Sequence, residues 1–189
     1  MNFRLTLIAL GALAAAPRAE ATVVLKQTFE EMAVEAHTVV RGKAGPSVAR
    51  WDDGGRRINT WTEIRVSEVL KGSVGATVKV RQAGGVVPPV GQTVAGAAEF
   101  KEGEEVLLFL EHPGDDPRNY VVVSMAMGKI SLERDGFGEL RAYRDGRGMG
   151  LYEARGGSVR VVEQKEDLGK ASAFLARLRK ACGVRGGGK

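Results

Sequence analysis

Scarcity bounds this chain first. Its 189 residues include one cysteine, Cys182, and two histidines, His37 and His112, and only 6% of them are aromatic. A single cysteine forbids an internal disulfide, so a hydrophobic core must hold the domain together, as it can at this length. Cys182 stands far from the position that a lipid-anchoring cysteine takes, directly after an export signal. It is expected to pack as a small apolar residue near a helix end, with pairing between chains as the alternative. A zinc site takes three or four His, Cys or carboxylate ligands, often two of them close in sequence, and no such pair exists. The formal charge of +5 is spread along the chain, without the clustered cations and interleaved aromatics of a nucleic-acid footprint. No cofactor, no metal and no nucleic-acid partner is expected.

Catalytic motifs are equally sparse. No Gly-X-Ser-X-Gly elbow frames a serine, and Ser124 reads as a strand residue after a valine run. Asp52-Asp53 and Asp115-Asp116 lack the spaced carboxylates of a calcium loop and read as turns. Gly146 to Gly150 lacks the strand and helix context of a phosphate loop. His37 precedes a strand and His112 ends one; each reads as a surface or strand-end histidine, with a general base as the minority reading. The expectation is a protein that is not an enzyme.

What the sequence does contain begins with a basic start, Met1 to Arg4, an uncharged apolar run from Leu5 to Ala16, and the small residues Ala19 and Ala21. This order predicts a secretory signal peptide over 1–21, cleaved before Thr22. The run is too short to cross a hydrocarbon core as a helix, and no later stretch is long and apolar enough. The chain is therefore read as exported, periplasmic or extracellular, with one domain over 22–183 and a flexible tail over 184–189.

The clearest pattern lies in the middle. Ile58, Thr60, Thr62, Ile64 and Val66 alternate with Trp61, Glu63, Arg65 and Ser67, as a half-buried antiparallel strand requires. Glycines between Lys71 and Gly75 then turn the chain into Thr77 to Arg81, which alternates again. Upstream, Thr28 is placed to cap a helix of about ten residues through Phe29, Met32, Ala33 and Ala36. His37 to Lys43 predicts a strand that Gly45-Pro46 breaks or bulges, resuming at Val48 to Trp51. Val106 to Leu110 is continuously apolar, the pattern of a strand buried on both faces, and Tyr120 to Val123 is its expected partner. Lys129 to Arg134 and Phe137 to Tyr143 form a hairpin through Asp135-Gly136. Arg144 to Gly157 reads as a mobile loop and Ser158 to Val162 as the last strand. Leu168, Ala171, Leu175, Leu178 and Cys182 recur at helical spacing, with a basic end and Gly183 as the stop.

The larger aromatics of the β region are Trp51, Trp61 and Tyr120. On an outer face such rings anchor partners, because they carry much of interface energy. The ordinary alternative is that they complete or cover a core. Trp51, Trp61, Glu63 and Arg65 are the candidate binding surface, and a protein or peptide is the expected partner.

His37-Thr38-Val39-Val40-Arg41-Gly42-Lys43-Ala44 resembles the opening strand of netrin-like domains, including the N-terminal domain of the tissue inhibitors of metalloproteinases. Ile64 to Gly72, closing on Glu68-Val69-Leu70-Lys71-Gly72, is similar to their second strand, and Glu102 to Leu110 to a later one. The same segments resemble more closely a group of uncharacterised exported bacterial proteins. The resemblance implies a mainly β fold: a five-stranded antiparallel OB-like barrel with an added hairpin, a short N-terminal helix and a C-terminal amphipathic helix. The inhibitors chelate a protease's zinc through a disulfide-tied N-terminal cysteine. Here the expected mature N-terminus is Thr22, so no inhibitory residue carries over. The function expected is a non-enzymatic exported binding module, regulating a secreted protease or mediating envelope protein interaction. The alternatives are a hydrolase using His37 or His112, and a structural subunit linked through Cys182.

Overall fold

The computed structural model describes residues 22–114, 116–153 and 156–183; the signal-peptide segment 1–21 and the tail 184–189 lie outside the described residues. The chain is mainly β. Strand β1 (Val23–Leu25) leads into helix α1 (Phe29–Glu35), followed by long β2 (Thr38–Trp51) and β3 (Ile58–Lys71), then β4 (Thr77–Ala83). A small hairpin, β5 (Gly85–Val87) and β6 (Val90–Gln92), precedes β7 (Glu105–Glu111) and β8 (Val121–Val122). A 3-10 turn (Met125–Gly128) opens β9 (Lys129–Arg134), which pairs with β10 (Leu140–Arg144). The remainder comprises β11 (Gly150–Glu153), β12 (Ser158–Val161), β13 (Glu166–Lys170) and helix α2 (Ala171–Ala181).

Eight of these strands form one sheet in the order β13-β10-β9-β7-β2-β3-β4, with β8 also on β7. The sheet has more than the five strands expected of the barrel: the expected added hairpin is present as β9–β10 and joins the same sheet on β7, and β13, which was not expected, pairs with β10. No closed barrel is found among the described residues. The free edge of β4 meets the chain at Tyr120 through a single parallel bridge with Val80, not through a ladder. The strand expected over Tyr120 to Val123 shortens to β8 because Ser124 and Met125 take φ angles of 52° and 58° and turn the chain away.

β7 is the hub. It pairs with β2 along one edge, and its other edge is shared between β9 and β8. Val106 to Leu110 are all fully buried, and the two-residue side-chain period divides them between two cores. Leu107 and Phe109 join Val39, Leu70, Ile130 and the helices; Val106, Leu108 and Leu110 join Val40, Ile64, Val80, Met127 and Met149. Each such aliphatic side chain contributes about 1.5–3 kcal/mol by its removal from water.

Local chemistry accounts for the ends of both helices. Thr28 and Glu31 form a reciprocal capping box, Glu31 N–H to Thr28 Oγ1 at 3.1 Å and Thr28 N–H to Glu31 Oε2 at 2.7 Å, which satisfies two otherwise orphaned donors. α1 is seven residues long, shorter than the spacing predicts. In α2, Phe174, Leu175 and Leu178 are buried; Phe174 meets Phe29 of α1 edge to face at 4.8 Å. Gly183, at φ 72°, supplies the left-handed angle that ends a helix.

Gly45-Pro46 bulges β2 without ending it: Ala44 pairs with Ile64 and Ser47 with Thr62, so three steps on β2 match two on β3. The segment read as a mobile loop contains β11, which pairs in parallel with β1 and antiparallel with β12. β12 is not the last strand either, since β13 follows and pairs with β10.

Candidate ligand groove

β2 ends at Trp51 and β3 begins at Ile58, so the turn between them fixes what stands above the outer face of β3 and β4. Asp52 organises that turn. Its Oδ1 accepts the N–H groups of Arg56 at 2.8 Å and Arg57 at 3.2 Å, an arrangement that folds an aspartate onto its own backbone. Those two N–H groups hold the Asp52 carboxyl below the usual carboxylate range.

The connection from β7 to β8 reaches the same place from the other side. The Asn119 side-chain amide donates to Asp116 Oδ2, and Arg118 N–H donates to Asp116 Oδ1 at 3.1 Å. The Asn119 bond is the chief reason the Asp116 carboxyl is lowered. His112 Nδ1 lies 3.1 Å from the Asn119 carbonyl oxygen, which can only accept, so Nδ1 carries the proton. Tyr120 then docks on β4: its N–H donates to Lys79 O at 2.9 Å, and its carbonyl accepts from Arg81 N–H at 2.7 Å.

Between the two connections lies an open cavity of about 770 Å³. Asn59 and Trp61 of β3 and Lys79 and Arg81 of β4 line it from the sheet, with Arg50 and Trp51 at the end of β2 and Asp116, Arg118 and Asn119 opposite. Alternation explains the sheet contribution, because Trp61 pairs with Arg81 and Glu63 with Lys79, putting these side chains on one face. The Arg50 guanidinium sits 4.8 Å from the Trp61 ring centroid, a cation–π contact that covers one side of the indole. Trp51 is 39% exposed. Five basic and three acidic side chains line the cavity.

The four residues expected to form a binding surface are thus separated. Trp51 and Trp61 line the groove together; Glu63 and Arg65 are exposed on the same strand, outside its lining. Arg50, Lys79, Arg81, Arg118 and Asn119 were not anticipated. The hairpin register would have placed Lys79 and Arg81 beside Trp61, whereas Arg118 and Asn119 arrive through a non-local fold.

The two histidines meet. The His37 and His112 ring centroids are 5.7 Å apart, and His112 is 4.3 Å from Tyr120. Among the described residues neither histidine has a hydrogen bond to a carboxylate, and no cluster of three or more His, Cys, Asp or Glu could hold a metal. Ser124 donates its hydroxyl to the Gln27 side chain. Cys182 is half-buried against the helix-side core, and burial raises its thiol pKa. A smaller cavity of about 400 Å³ lies beside α2, lined by Arg41, Leu175 and Arg179 among others; its arginines are engaged by Glu105 and Glu68.

No helix among the described residues is long and apolar enough to cross a membrane. A comparison with protein-family models gives no match, and neither does one with curated proteins.

Proposed function

We propose that the protein is a non-enzymatic exported binding module of the OB type, whose ligand site is the groove between the β2–β3 turn and the β7–β8 connection. The observation that carries the reading is the convergence of Trp51 and Trp61 with Arg50, Lys79 and Arg118 in one open cavity. Order of pairing supports the OB comparison: β2, β3, β4, Tyr120 with β8, and β7 contact one another in a ring in which only the Val80–Tyr120 step is parallel and unladdered. Barrels of this type present the face of their second and third strands, with flanking loops, to ligands. Export rests on the N-terminal pattern, and the partner is a protein or peptide, with a secreted protease or an envelope protein as the class suggested by the netrin-like resemblance.

Recovery of partners from the exported fraction tests this, with the mature chain and its Trp51→Ala/Trp61→Ala variant as paired baits. The expected result is a partner retained by the native groove and lost with the variant. Identical recoveries with both baits would remove the groove from the account.

The second reading is a hydrolase using His37 or His112, favoured by the approach of the two rings. It ranks lower because a general base needs a positioned proton donor or orienting group. Among the described residues, the side-chain bond that His112 makes is instead to a backbone carbonyl.

A further inference from the structure

The groove's charge is divided by role. Asp52 and Asp116 spend their carboxylates on N–H groups of their own turns, so their charge holds the walls in shape. The cations are placed otherwise. Lys79 is exposed and makes no ion pair among the described residues; Arg56 is exposed in the turn. The Arg118 side chain is 90% exposed, with its Nε 3.6 Å from Asp116 Oδ1, so most of its guanidinium faces solvent. Arg50 lies over Trp61. The lining sets five cations against three acids, two of them satisfied within their own turns and the third, Asp53, exposed, and this excess of cations favours an anionic ligand.

Two features select among anions. Stacking of successive nucleotide bases needs open aromatic faces, but the Trp61 face carries Arg50, leaving Trp51 as the more open ring. In addition, β4 has a ladder on its β3 side only: on its second edge Tyr120 takes Lys79 O and Arg81 N–H, and the positions flanking that bridge have no strand partner among the described residues. An extended peptide can add to such an edge through its backbone, with side chains alternating between the two faces; a saccharide or nucleic acid cannot.

We propose that the groove takes an acidic peptide segment in extended form, its carboxylates meeting Lys79, Arg56 and Arg118 and an apolar side chain lying on Trp51. This rests on the reading of the cavity as a ligand groove and adds the ligand's chemistry.

The test uses fluorescence polarisation on the mature chain with labelled octapeptides of alternating glutamate and leucine, or lysine and leucine, together with a heparin hexasaccharide and an oligothymidylate. The acidic peptide is expected to bind, with affinity falling as salt rises. Lys79→Glu and Arg118→Glu should each weaken it about tenfold, as loss of an attractive contact and gain of a repulsive one imply. Trp51→Ala should weaken it too. Both cations are exposed, so these variants fold, and circular dichroism verifies that. Binding of heparin or the oligonucleotide in preference to the peptide overturns the proposal while leaving the groove as the site. Equal binding of the basic peptide overturns it likewise. If no probe binds but a partner is still recovered through Trp51 and Trp61, the ligand chemistry proposed here is wrong and the groove stands. If neither occurs, both fail.

Discussion

Val80 and Tyr120 form a parallel bridge, and through it the β7–β8 connection is fastened to the free edge of β4. Everything opposite the sheet in the groove hangs from this contact, because Arg118 and Asn119 directly precede Tyr120. Tyr120→Pro removes the N–H that donates to Lys79 O and should cost about 1–3 kcal/mol, read from the denaturant midpoint. Hydrogen exchange gives a sharper sign: protection of the Arg81 amide should drop in the variant, while amides in the β2–β7 ladder keep theirs.

A second prediction concerns pH. Glu104 accepts from Lys129 Nζ at 2.7 Å and Ser131 Oγ at 2.6 Å, with both members of the ion pair largely buried. Burial pushes the Glu104 carboxyl up, but the bonds from Lys129 and Ser131 outweigh it and leave the pKa below the ordinary 4.5. A depressed folded pKa means stabilisation that is fully present above the unfolded value and lost as pH falls through the folded one. Lys129→Met should therefore lose about 2–4 kcal/mol at neutral pH, the cost of stranding a largely buried carboxylate. The gap to the wild type should narrow as pH is lowered past 4.5, in urea titrations at a series of pH values.

Gly42 is a steric prediction. A Cβ there would stand 2.4 Å from Arg65 O and 2.8 Å from Ile64 Cγ2, so Gly42→Ala must push β2 off β3 and should cost about 1–3 kcal/mol. At Gly75 an added Cβ meets nothing within 4 Å. Gly75→Ala should leave the thermal midpoint almost unchanged, and equal effects at the two sites would contradict the register of the hairpin.

Cys182 separates a monomer from a disulfide-linked subunit. Its thiol packs on the core and burial raises its pKa, and a thiol with less thiolate reacts more slowly. Thiol reagent at neutral pH should label the native protein markedly more slowly than the unfolded chain. Rapid native labelling, or a dimer on a non-reducing gel, would return weight to the subunit alternative.

These contacts also mark what could be read in advance. β3 and β4 were legible because period-two alternation and a glycine turn are local signals, and β7 because five apolar residues in a row leave no wet face. The Thr28 cap and the Gly183 stop were legible for the same reason. β11 was not: its burial comes from pairing with β1, well over a hundred residues away, and glycines and arginines around it mask Met149 and Leu151. Trp51 and Trp61 could be picked out by type, but their neighbours could not. Glu63 and Arg65 share the strand with Trp61 yet lie outside the cavity lining, although Glu63 pairs with Lys79 of the lining, while Arg118 is delivered there by the Tyr120 bridge.

The central claim is that ligand enters between the two connections, and the protein carries its own reporter. Its two tryptophans both line the groove. The decisive measurement is the pair of indole N–H resonances in a nitrogen–proton correlation spectrum, followed while the alternating glutamate–leucine peptide is added. Both resonances should move and saturate with the polarisation curve. If binding proceeds with both indole signals unmoved, or if neither this peptide nor a recovered partner shifts them, the groove is not the site.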